Sequence, residues 1–154
     1  MSIKEKLSEL GLSLPTASAP VAAYVPAVKS GNLIFTAGQL PVVDGKLVKE
    51  GKVGREVTAE DAKELAQICA LNALAAISLV ADLDQVERVV RVGGFVNCAP
   101  GFIAIPGVVN GASELLIKVF GDVNGKHART AVGVAELPLN AAVEIELIVQ
   151  LRSL

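Results

Sequence analysis

Hydrophobic residues recur along this chain at two distinct periods, and the switches between them divide it into elements. Ile3, Leu7 and Leu10 recur at helical spacing within a charged stretch, and Gly11 follows where a helix C-cap is expected. This predicts a short amphipathic helix. Leu14 to Pro20 is rich in proline and small residues and reads as an extended connector. Ala22 to Lys29 and Leu33 to Gln39 are short apolar runs around Ser30-Gly31-Asn32, which predicts a hairpin. Val43-Asp44-Gly45-Lys46 signals a second turn, and the polar stretch up to Val57 reads as surface loop. Thr58, with Asp61 three residues on, then opens a long helix reaching about Val80, apolar on nearly every side between Ala70 and Ala76 except at Asn72.

Beyond that helix, Val86 to Val96 has the valine density of a buried strand, with Gly93-Gly94 marking a bulge or a close backbone approach. Cys98-Ala-Pro-Gly101 ends it. Val109, Leu116 and Phe120 share one face of a second helix that stops before the turn Gly121 to Gly125. Thr130 to Glu136 and Val143 to Leu151 are strand-like and flank Leu137-Pro-Leu-Asn140, which predicts a terminal hairpin. The order gives one α/β unit over residues 1–154, with 1–18 an extension of helix and connector. Its expected form is a mainly antiparallel, mixed sheet with two helices on one face and the other face open.

Composition sharpens that open face into a requirement. Hydrophobic residues make up 52% of the 154 positions and charged ones only 19%, below the usual quarter for a soluble domain. Some apolar surface needs a cover. The run from Ala73 to Ala81 is far short of the roughly 20 residues that span a bilayer, so self-association is expected and a membrane is not. A net charge of −2 and 3% aromatics leave little material for a phosphate-tracking groove or a stacking platform, which argues against nucleic acid as a partner. The first ten residues mix both charge signs without an apolar core, unlike a secretory or transit segment, so a cytoplasmic protein is expected. Cys69 and Cys98 are far apart and His127 is the sole histidine, so neither a disulfide framework nor a zinc site is expected.

Few side chains remain that can do chemistry. Strand alternation places Arg129 on one face with Ala131, Gly133 and Ala135, a guanidinium fork beside small residues with room for an organic carboxylate. The plainer reading is a strand-end arginine paired with a structural glutamate or with solvent. Glu144 and Glu146 share the face opposite Val143, Ile145, Leu147 and Val149. They read either as a pair that handles a water or as a solvated strand face. In the predicted hairpin Glu144 lies roughly 20 Å from Arg129 at about 3.3 Å per residue, so sharing one small ligand requires a second subunit or a sharp bend. His127, beside a glycine-rich turn, reads as an exposed histidine. Tyr24, the only tyrosine, lines a pocket or satisfies an interface, and both cysteines read as inert. No glycine spacing matches a nucleotide loop.

Two stretches carry a resemblance. Asn32-Leu-Ile-Phe-Thr-Ala-Gly-Gln39 with Leu40-Pro41, and Ala128-Arg129 through Glu136-Leu-Pro138 to Val143-Glu-Ile-Glu146, strongly resemble the Rid family, also called YjgF, RidA or endoribonuclease L-PSP. The resemblance implies the chorismate-mutase-like fold and a homotrimer with clefts between subunits. It also implies hydrolytic deamination of 2-enamine or 2-imino acids to 2-keto acids and ammonia, without metal or organic cofactor. By motif position it implies that Arg129 clamps the substrate carboxylate, Glu144 orients or activates water, Tyr24 lines the cleft and Gly38 brings backbone near the ligand. Non-catalytic binding of small carboxylates in the same cleft is a second reading, and the family's older name adds a third, an endoribonuclease or translation inhibitor. Ala131 stands where the family often has cysteine, and the N-terminal helix and the Gly101 to Gly125 region are longer or different, as in a divergent, longer branch.

Overall fold

The computed structural model describes residues 1–17 and 22–153. Part of the predicted connector, from 18 to 20, lies outside them. The N-terminal helix α1 spans Ile3–Glu9, closed at its head by a reciprocal capping box between Ser2 and Glu5, with Gly11 at φ 73° just past its end. The first hairpin is β1 (Ala27–Ser30) and β2 (Leu33–Thr36), shorter than the apolar runs suggest, with Gly31 at positive φ in the turn. A second small hairpin joins β3 (Val42–Val43) to β4 (Lys46–Leu47) through Asp44 and Gly45, both at positive φ as a tight primed turn requires.

Helix α2 spans Ala59–Ile77, and the Thr58 hydroxyl accepts from the Asp61 amide at its head. Asn72, the polar exception in its apolar stretch, donates both amide hydrogens to the Leu40 and Val42 carbonyls at 3.0 Å. The long strand β5 (Val86–Asn97) follows, then α3 (Ile105–Asn124), whose helical geometry breaks at Gly121 (φ 87°), as the sequence predicts. The last strands are β6 (Ala128–Val134) and β7 (Val143–Leu151). Among the described residues no helix is long and apolar enough to cross a membrane.

The five-stranded sheet has the order β1-β2-β7-β5-β6, with β5 and β6 parallel and the other pairs antiparallel. Helices α2 and α3 pack on one face, where Ile34, Val92, Val96, Ile145 and Leu147 are buried. Gly111 lets α2 and α3 approach closely, since a Cβ there would overlap the Lys63 carbonyl. Gly94 admits Val109 of α3 against the sheet in the same way. The paired glycines therefore mark close approach, while the irregularities in β5 fall earlier, at Val86 to Arg88 and Val89 to Arg91.

Two expectations fail. Val53 and Val57, in the stretch read as surface loop, are fully buried, and Val53 bridges Cys98 beyond the end of β5. The terminal hairpin does not form either, because β5 lies between β6 and β7. β7 turns five residues from Val143 to Leu151 inward with at most 4% exposure, so it belongs at the centre of the sheet, whereas β6 is half-exposed and takes the edge. The connection between them passes around the end of β5 with Leu139 and Asn140 at positive φ. It is pinned there by Asn97. That fully buried residue donates its backbone amide to Ala142 and its side-chain amide to the Ala141 carbonyl and the Asn140 side chain. Its own carbonyl accepts from the Val53 amide, and its Oδ1 accepts from Lys52 Nζ at 2.7 Å. Replacing Asn97 by leucine keeps the branched shape but takes its donor from the Ala141 carbonyl and one acceptor from the Lys52 ammonium, which retains the Ala135 carbonyl and Glu136. At the usual cost of one orphaned buried group, Asn97→Leu should lose about 1–3 kcal/mol, read as a lower urea midpoint; an unchanged midpoint contradicts the pinning role.

Candidate functional site

The predicted site residues fall into two groups on opposite faces of the sheet. On the open face, Glu144 pairs across from Phe95 and Glu146 from Gly93. Each glutamate lies over a glycine: a Cβ on Gly38 would overlap the Glu144 carboxyl, and one on Gly93 would come within 2.7 Å of Glu146 Cγ. Gly38 reaches this position because Gln39, just past β2, exchanges backbone hydrogen bonds with Ile145. The stretch Thr36-Ala-Gly-Gln39 therefore makes a bed for a carboxylate. Burial raises the Glu144 pKa above its ordinary 4.5, and repulsion from Glu146 raises it further. Tyr24 lies before β1 at the same end of the β1–β2 pair and is 53% exposed.

Arg129 projects from β6 on the helical face. It pairs with Val92, three positions along β5 from the partner of Glu144 and one strand further out. With strand spacings of about 4.8 Å and a rise of about 3.3 Å, the two α-carbons are roughly 14 Å apart rather than the 20 Å of a hairpin. Their side chains nevertheless leave opposite faces, so one chain does not bring them together. Arg129 Nη1 donates to Asn110 Oδ1 at 2.7 Å and to Ser113 Oγ at 3.2 Å, and Nη2 approaches the Pro106 carbonyl at 3.5 Å. All three acceptors are neutral. Neither the structural glutamate nor bare solvent accounts for this arginine.

His127 is the clear departure among the candidates, for it is half-buried rather than exposed. Its Nε2 lies 2.9 Å from Ser113 Oγ and its Nδ1 2.6 Å from the Gly125 carbonyl. Burial lowers its pKa, the bond to the Gly125 carbonyl opposes that, and the charge of Arg129 lowers it again. Asn110 and Ser113 were not among the sequence candidates. Their signal is a polar i, i+3 pair on a helix whose neighbours Val109 and Leu116 are buried. Both thiols are held protonated: burial pushes Cys69 well up, with Glu144 adding to it, and pushes Cys98 up against the pull of Lys52. A cavity of about 570 Å³ lies elsewhere, between residues 11–17, the β3–β4 turn and α2, and includes none of the candidates.

A family model described as "YjgF/chorismate mutase-like, putative endoribonuclease" matches residues 4–151. The chain is 41% identical over 152 residues to Protein TCP17 of Trypanosoma cruzi, covering 98% of this chain and 95% of that one. It is 33% identical over 138 residues to a Dermatophagoides farinae protein named 2-iminobutanoate/2-iminopropanoate deaminase, covering 90% and 93%. Among solved structures, a Shewanella oneidensis protein described as a putative endoribonuclease superposes with a TM-score of 0.93 at 29% identity, covering 98% and 100%.

The raised Glu144 pKa has a defined sign for stability. Between its ordinary and its folded value the native chain binds more protons than the unfolded one, so this group's stabilising contribution is present at low pH and is lost as pH rises through the folded value. Glu146→Gln removes the repulsion and should lower the Glu144 pKa in a carboxyl ¹³C titration. An unmoved Glu144 curve contradicts the coupling.

Proposed function

The chain belongs to the YjgF/chorismate mutase-like family, and on that premise we propose that it hydrolyses reactive 2-enamine and 2-imino acids to 2-keto acids and ammonia, in clefts between the subunits of a homotrimer. The observation that carries this reading is the state of Arg129. Its cation is half-buried, yet among the described residues it is held by an amide oxygen, a hydroxyl and a carbonyl and by no carboxylate. A fixed guanidinium without a counter-charge suits an incoming carboxylate, which it can grip in two parallel hydrogen bonds. The name of the Dermatophagoides farinae relative supports the same substrate class.

The opposed faces support the assembly. Arg129 and Glu144 act on one small ligand only if a second copy brings its open face to the edge strand of the first. That face displays Val28, Phe35 and Val132 at 51%, 41% and 40% exposure, apolar surface that a subunit contact removes from water. In the assembled cleft Tyr24, exposed in one chain, lines the ligand space.

The chemistry needs little more. An enamine first takes a proton at carbon to become the iminium, the protonated imine, whose carbon is electrophilic. Glu144 in its carboxylate form accepts a proton from water as the water oxygen bonds to that carbon. The proton passes to nitrogen, the C–N bond breaks with its electron pair leaving on ammonia, and the remaining hydroxyl loses its proton to give the keto group. Placement by Arg129 turns the attack into a near-unimolecular event, and a carboxyl with a raised pKa is the better base once ionised. Gly38 keeps the space that Glu144 occupies.

With 2-aminoacrylate generated in situ, the protein should speed pyruvate formation, and Arg129→Ala should lower kcat/KM about 10- to 100-fold, the size of a lost charged hydrogen bond. Equal rates with and without protein overturn the reading. Binding of 2-ketobutyrate that depends on Arg129, without turnover of any imino acid, replaces it by the carboxylate-binder alternative. Light scattering should give about three times the 15.9 kDa chain mass; the mass of one chain removes the shared cleft.

A further inference from the structure

We propose that Ser113 and His127 are positioning residues that hold the Arg129 guanidinium in its carboxylate-binding pose, through a hydrogen-bond chain with a single direction. The inference rests on the reading of Arg129 as the carboxylate clamp. The direction follows from what each atom can do. The Gly125 carbonyl only accepts, so His127 Nδ1, at 2.6 Å, carries the ring proton. Nε2 then has a free lone pair, and Ser113 donates its one hydroxyl hydrogen to it at 2.9 Å. With that hydrogen committed, Ser113 Oγ faces Arg129 Nη1 as an acceptor at 3.2 Å. Asn110 Oδ1 takes the same nitrogen at 2.7 Å. Nη1 is anchored twice, while the contact of Nη2 with the Pro106 carbonyl is long at 3.5 Å. The guanidinium is fixed at one nitrogen, and its other nitrogen is only loosely engaged.

A serine bonded to a histidine that is itself oriented by a third group also has the outline of an activated nucleophile. The surroundings argue against that role. Ser113 is 8% exposed, deep on the helical face, and Arg129 occupies the oxygen that would attack. What the pair does is fix the hydroxyl rotor. A serine hydroxyl free to rotate can turn its hydrogen toward the arginine and repel it, whereas one committed to His127 presents only lone pairs. The three groups come from two elements, Asn110 and Ser113 one turn apart on α3 and His127 just before β6, so the chain also ties the edge strand to the helix beneath it.

Because His127 is the only histidine, its ring nitrogens can be observed without ambiguity. The ¹⁵N shifts of the whole protein should show the neutral Nδ1–H tautomer, the less common form of a free histidine; the Nε2–H tautomer overturns the proposal whatever the activity. For binding, the probe is 2-ketobutyrate in a calorimeter, with Arg129→Ala as the reference. Ser113→Ala and His127→Leu should each weaken affinity about tenfold, the size of one lost hydrogen bond in the chain, and raise KM while leaving kcat within about twofold. His127→Gln, whose amide oxygen can accept from Ser113, should recover most of the affinity. Adding Ser113→Ala to Arg129→Ala should cost nothing further, because the chain acts only through the guanidinium. Full affinity in Ser113→Ala and His127→Leu, with Arg129→Ala impaired, overturns the positioning role and leaves the clamp standing. Full affinity in Arg129→Ala removes the clamp and this inference together.

Discussion

One buried amide settles where the last two strands can go. Asn97 ends the long strand β5 with no solvent exposure, so its backbone N–H and C=O and its side-chain amide must find partners inside the protein. They find them in Lys52, Val53 and the segment Asn140 to Ala142, which is thereby held around the tip of β5. The chain leaves β6 on one side of β5 and enters β7 on the other. Had the segment turned back directly, β6 and β7 would be neighbours and β5 would lose its place between them.

That detour has a chemical consequence. β5 separates the strand that carries Arg129 from the strand that carries Glu144, and the parity of the register sends the two side chains to opposite faces. Each then meets a different environment. The guanidinium rests against a helix on neutral acceptors, which fix it without neutralising it. The carboxyl lies on the open face over a glycine, beside a second carboxyl, where burial and repulsion both favour the protonated form. In the function proposed above, this cation and this carboxyl with an elevated proton affinity are the two halves of one site, and their separation within one chain is the physical argument for a second subunit.

Glycine does more in this protein than make turns. Gly38 and Gly93 are flat ground for two glutamates, and Gly94 and Gly111 let helices come close to the sheet and to each other. Such positions look alike in a sequence. Only the partner overhead says whether a missing side chain serves a turn, a packing contact or a reactive group.

Much was legible from local chemistry alone. The capping residue Thr58, the turns at Gly31 and Asp44-Gly45, the break at Gly121 and the one-sided burial of β7 follow from patterns a few residues long, and the structure has each of them. Which residues share a face with Arg129 and with Glu144 was legible too, since alternation along a strand is fixed by the pleat, but not that the two faces are opposite ones. Strand order was not, because pairing across a sheet depends on which apolar faces compete for its centre and on the bonds of Asn97, a residue that reads as an ordinary strand end. The burial of Val53 and Val57 and the partial burial of His127 escaped for a related reason: each is covered by segments that reach it only in the folded chain. Period and local hydrogen bonding are short-range and are written in the residues themselves, whereas burial is a property of what else arrives, and in this protein it is burial that separates the two charged groups and tunes them.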